Sequence, residues 1–94
     1  MKLKNISGTA NRSCSCSSWL RHWERHSGQK SEFCQVVGCM NRDVVGAHVQ
    51  LTDGWNTTWY IYPLCNACNQ RQGTLEVSDS YKLVEAATRH NCGS

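Results

Sequence analysis

The sequence predicts a small α+β domain folded around a metal ion, on three observations. Its central cysteines follow C-x4-C-x25-C-x2-C through Cys34, Cys39, Cys65 and Cys68. The interval between the two pairs holds two β-branched and aromatic runs separated by Asp53-Gly54, a strong hairpin signal. A tryptophan-rich stretch, Trp19-Leu-Arg-His22-Trp23-Glu-Arg-His26, precedes both and carries its apolar residues on one helical face.

The cysteine spacing is what a tetrahedral Zn²⁺ requires. Each close pair supplies two thiolates from one tight turn, and the hairpin-sized interval lets the chain fold back to join them. Gly38, just before Cys39, permits the positive φ at which a knuckle curls round its ion. A chain of 94 residues has little core of its own, so a metal staple is physically useful. Hydrophobic residues make up 39% of the chain with a single proline, which excludes a disordered composition. The formal charge of +3 is compatible with nucleic-acid contact without requiring it. The stretch from Met1 to Ser18 has no apolar segment of the kind a secretory signal carries, and no run approaches the ~18 apolar residues of a membrane span. The expectation is a cytoplasmic protein with no membrane partner.

Along the chain, residues 1–13 read as a polar N-terminal arm, and residues 14–94 as a single zinc-binding domain. A helix is expected from Ser18 to Ser27, capped by Ser17 or Ser18 and stopped by Gly28, with Trp19 and Trp23 lying over the metal module. Val44 to Leu51 reads as a strand, Thr52-Asp53-Gly54 as the turn, and Thr57 to Tyr62 as the return strand ended by Pro63. Asn66 to Gln72 fits a short helix stopped by Gly73, and Thr74 to Val77 a further strand. Tyr81 to Thr88 suits either a helix, with Leu83, Val84 and Ala87 on one face, or a strand. Knuckle, hairpin and a C-x2-C at the start of a helix, in that order, is the plan of a treble clef, here with an added N-terminal helix. Its last two thiolates would sit at a helix start, where unpaired N–H groups favour negative charge.

Three cysteines remain of the seven. Cys14 and Cys16 are too tightly spaced for an easy mutual disulfide, whereas C-x-C followed by His22 makes a metal half-site that Cys92 could close. Seven cysteines and one histidine provide eight ligands, enough for two tetrahedral zinc ions. A disulfide from Cys92 to Cys14 or Cys16, or free thiols serving a sensing role, are the other readings.

Ala47-His48-Val49 together with Pro63-Leu64-Cys65-Asn66-Ala67-Cys68-Asn69 resembles the zinc-containing HNH nucleases of the ββα-metal class, over about Cys34 to Gln72. The resemblance implies His48 as a water-activating base, Asn69 as a ligand of a catalytic divalent ion, and Cys34, Cys39, Cys65 and Cys68 as a structural zinc site. The chain also resembles a group of small bacterial and phage proteins sharing its C-x-C, Ser-Trp-Leu, Gly-Ala-His-Val and Pro-Leu-Cys segments, which implies a shared fold and no activity. It departs from the nuclease pattern at three places. Ala47 stands where an acidic residue or histidine is usual, positions 59–64 lack the family's middle asparagine, and Asn69 stands where histidine is common. A hard cation prefers anionic oxygen ligands, and only Asp43 and Asp53 could add them. The expected function is therefore a non-catalytic module binding protein or nucleic acid. The alternative is a metal-dependent endonuclease using His48, which otherwise packs in the hairpin or joins the zinc.

Overall fold

A computed structural model describes residues 1–6, 18–52 and 57–86 of the 94-residue chain. Within them, β1 (Lys2–Asn5), α1 (Trp19–Ser27), β2 (Val44–Leu51), β3 (Tyr60–Cys65), α2 (Asn66–Asn69), β4 (Thr74–Glu76) and β5 (Val84–Glu85) form a small α+β unit. The strands make one antiparallel sheet in the order β4-β1-β2-β3-β5. No helix among the described residues is long and apolar enough to cross a membrane.

The hairpin β2–β3 is the trunk of the sheet, pairing Val44 with Cys65 at one end and Val49 with Tyr60 at the other. Alternation along a strand sends successive side chains to opposite faces, and the two faces are covered differently. Ala47, Val49, Tyr62 and Leu64 join Leu3, Leu75, Val77 and three of the central cysteines in one buried cluster. On the other face, Ile61 packs with Trp23, Val84 and Ala86 beneath α1.

Helix α1 starts at Ser18, whose hydroxyl accepts the Arg21 N–H at 3.1 Å, and ends at Gly28 in the left-handed region. It crosses the hairpin directly over Gly46. A Cβ built there would lie 2.5 Å from the Trp19 carbonyl carbon and the Leu20 nitrogen, so only glycine admits the helix this closely. Trp23 is fully buried and its indole N–H donates to the Lys82 carbonyl at 2.7 Å. The tryptophans therefore do not lie over the metal module as expected. They cover the opposite face, because the alternation that turns Tyr62 and Leu64 toward the cysteines turns Ile61 toward α1.

Three further expectations are corrected. Lys2–Asn5, placed in a polar arm over 1–13, is an interior strand: Leu3 pairs with Leu51 on one side and Leu75 on the other. One apolar residue between lysines is too short a pattern to announce a strand, yet Leu3 is fully buried. The return strand runs through Pro63 to Cys65 instead of ending before it. The Pro63 carbonyl accepts the Gln35 N–H at 3.3 Å, so the imide nitrogen on that same side faces away from β2 and leaves the ladder intact. The short helix is one turn, Asn66–Asn69, rather than reaching Gln72. In the segment expected as either helix or strand, Val84–Glu85 is strand, and the residues after 86 lie outside those described. The turn residues Asp53 and Gly54 do as well.

Candidate metal centre

Two short segments, the knuckle from Cys34 to Cys39 and the turn from Cys65 to Cys68, converge at the end of β3. Cys34 is fixed by its own N–H, which donates to the Asn41 carbonyl at 2.8 Å across the base of the knuckle. The turn then closes with the Cys39 N–H donating to the Val36 carbonyl at 2.9 Å, while Gly38 holds φ at 83°. The knuckle is docked on β4 through a Val36–Val77 bridge and a 2.9 Å bond from the Val37 N–H to the Glu76 carbonyl. Cys65 ends β3 and caps α2, its Sγ accepting the Cys68 N–H at 3.4 Å. Cys68 follows within that single turn.

The four Sγ atoms lie within 4.8 Å of one another. Cys39 Sγ is 3.8 Å from Cys65 Sγ and 3.9 Å from Cys68 Sγ. A tetrahedral zinc with bonds near 2.3 Å has sulfur–sulfur edges of roughly 3.8 Å, whereas a disulfide needs roughly 2 Å. All four are free thiols, and three of them are buried. The donor set and its spacing thus fit a soft or borderline divalent ion of the Zn²⁺ type.

The electrostatics agree. Burial by itself would raise the Cys65 thiol, but the Asn41 amide, the Cys68 N–H and the neighbouring thiols together bring it down to about 7. Burial, then the Cys65 and Cys34 sulfurs, pushes Cys68 up to about 12. Burial also raises Cys34. The Cys65 thiolate forms readily near neutrality while Cys34 and Cys68 resist ionising, which fits a cluster that a bound dication would complete.

Two supporting residues had no signal in the sequence. The Asn5 side-chain amide donates to the carbonyls of Cys68 at 2.9 Å and Arg71 at 2.8 Å, fastening β1 to the metal turn. An asparagine in a polar segment gives no sign of such a role. The Asp43 carboxylate accepts both the backbone N–H and the side-chain amide of Asn66, at 3.3 and 3.1 Å. Asp43 thus secures the start of α2.

The remaining predicted residues fall elsewhere. His48 is only 7% exposed and lies on the α1 face, its ring edge-on to Trp19 at 4.5 Å and to Trp59 at 6.3 Å. Asn69 belongs to α2, which packs through Cys68 against the opposite face, and it lines a surface hollow with Lys4, Asn5 and Arg71. His22 is fully buried in α1, with Nε2 3.0 Å from the Glu85 carbonyl oxygen. Cys14, Cys16 and Cys92 lie outside the described residues, as does Asp53. Comparison with protein-family models, curated proteins and solved structures finds no match to the chain.

Proposed function

We propose that this protein is a zinc-stabilised treble-clef module of HNH-like plan that acts by binding rather than by hydrolysis. The observation that carries this reading is the placement of His48. A general base must reach a water beside a phosphate held by a cation. His48 instead packs beneath α1 between two tryptophans, on the sheet face opposite the cysteine cluster and α2. Asp43, which could have supplied charge to a hard cation, is engaged by Asn66.

The surface best suited to a partner is the hollow of about 610 Å³ beside α2, lined by Lys4, Asn5, Asn69, Gln70, Arg71 and Gln72 among others. Two cations and a row of amides with no carboxylate among the lining residues suit a phosphodiester backbone. Nucleic acid is therefore the favoured partner. A protein partner is the second reading, favoured by Val37 and Met40, which stand 65% and 70% exposed on and beside the knuckle.

The test combines cleavage and binding on one zinc-loaded sample. No cleavage of DNA or RNA above background is expected with Mg²⁺, Mn²⁺ or Ni²⁺, while nucleic-acid affinity should fall with salt and with Lys4→Ala/Arg71→Ala. Metal-dependent nicking that vanishes in a folded His48→Ala variant would replace this reading with the endonuclease, in which His48 is the base and Asn69 a metal ligand. Absence of both cleavage and binding would favour the protein partner.

A further inference from the structure

Cys39 is the exception among the four clustered cysteines, the one that is not buried. It leaves the knuckle turn between Gly38 and Met40, both exposed. Together with Val37, Gly38 and Met40 it lines an open hollow of about 340 Å³. Cys34 borders the same hollow but is only 2% exposed, and Cys65 and Cys68 are 0% and 5% exposed. A small polar solute arriving from solvent therefore meets Cys39 first.

Two buried thiols lie beside it. Cys65 Sγ is 3.8 Å away and Cys68 Sγ 3.9 Å. A disulfide holds its sulfurs about 2 Å apart, so closing either pair asks for an approach of roughly 2 Å. An accessible thiol with a second thiol next to it is the arrangement that oxidises reversibly.

We propose that Cys39 is a site of peroxide oxidation, which closes a disulfide to Cys65 or Cys68 and releases the ion held by the cluster. The Cys39 sulfur attacks one peroxide oxygen and the O–O bond breaks. The other oxygen leaves as water, and Cys39 becomes a sulfenic acid. The sulfur of Cys65 or Cys68 then attacks the Cys39 sulfur and displaces its oxygen as a second water. The two sulfurs lose two electrons in all, and the peroxide takes them up together with two protons, from the thiols or, where an ion holds thiolates, from solvent. With two sulfurs tied in the bridge the ion keeps only two of its four ligands and departs. An external thiol attacks the bridge and restores the site. The proposal rests on the cysteine cluster and does not depend on a nucleic-acid partner or on the three outlying cysteines.

The experiment exposes the full zinc-loaded chain to hydrogen peroxide. Zinc is followed with a chromogenic chelator too weak to strip the untreated protein, and cysteine pairing is mapped by alkylation and peptide mass spectrometry. Zinc release is expected in step with a bridge from Cys39 to Cys65 or Cys68, lighter than the paired free-thiol peptides by about 2 Da. Dithiothreitol should then restore zinc uptake. Brief iodoacetamide treatment of the zinc-loaded chain should label Cys39 before the other three. Earlier labelling of Cys34, Cys65 or Cys68 would overturn the proposal, as would a first bridge between Cys34 and Cys39 or between Cys65 and Cys68. Oxidation confined to Cys14, Cys16 and Cys92 with zinc retained by the central cluster would refute it too. All readouts come from the wild-type chain, so none depends on a variant folding.

Discussion

The side-chain amide of Asn5 reaches the carbonyl of Cys68 at 2.9 Å, joining the first strand to the turn that carries the last two cysteines. A second bond from the same nitrogen, to the Arg71 carbonyl at 2.8 Å, satisfies backbone left open where α2 ends after one turn. One of these bonds is partly buried and the other exposed, so Asn5→Ala should destabilise the fold by about 0.5–1.5 kcal/mol, the range for a typical intramolecular hydrogen bond. Urea denaturation of the zinc-loaded protein measures this, and faster zinc transfer to a chelator should accompany it. A variant with unchanged midpoint and unchanged transfer rate would show that the link is idle.

Gly46 tests the seating of α1. Because a methyl group there would meet the Trp19 and Leu20 backbone at 2.5 Å, helix and hairpin must part in Gly46→Ala. A loss of about 1–3 kcal/mol or more is expected, as for other overpacked sites. Tryptophan fluorescence should shift to the red as Trp19 and Trp23 become hydrated. Wild-type stability and emission would contradict the close approach.

Removal of the ion should unfold the domain. Four mutually close thiols, three of them buried, are tolerable as thiolates only around a cation. Cys65→Ser is expected to lose zinc from this site and cooperative unfolding with it, and a strong chelator should do the same to the wild type. A chelated protein that keeps its circular dichroism and melts cooperatively would exclude a structural role for the metal.

Tyr62 predicts the alkaline limit. Its hydroxyl donates to the Ser78 carbonyl and, at 3.4 Å, to that of Tyr81, and burial pushes its pKa up to about 12. The fold thus favours the neutral phenol, whereas the unfolded chain ionises near pH 10. The resulting stability is fully present below about pH 10 and declines as pH rises toward 12. Denaturant midpoints between pH 9 and 12, set beside those of Tyr62→Phe, measure it: the variant should start lower and fall less steeply. Parallel curves would mean that Tyr62 does not govern the alkaline limb.

Most of what gathers the four central cysteines could be read in the residues themselves. The C-x4-C and C-x2-C spacings brought together Cys34, Cys39, Cys65 and Cys68, and Gly38 has the positive φ that a knuckle turn called for. The Val44–Leu51 strand and the caps Ser18 and Gly28 also follow from local chemistry, since each depends on neighbours within one turn or one alternation. What escaped depends on distant partners. Leu3 is a core residue only because Leu51 and Leu75 flank it. Pro63 is harmless only because its nitrogen faces the Gln35 side, away from β2. Which face of the sheet the two tryptophans cover was decided by the sheet and not by the helix pattern, so the amphipathic signal at Trp19 and Trp23 named the buried side without naming its neighbour.

The sheet order β4-β1-β2-β3-β5 bears on how the molecule assembles in time. The knuckle, hairpin and α2 are contiguous in the chain, so thiol capture of an ion closes only short and medium loops. The first strand has no local partner: Leu3 waits for Leu51 and then for Leu75. Contacts of such long separation slow folding. Until residues 2–5 insert between β2 and β4, the β2 edge is left unpaired. During that interval the exposed β2 edge is the point at which two nascent molecules could pair strand to strand.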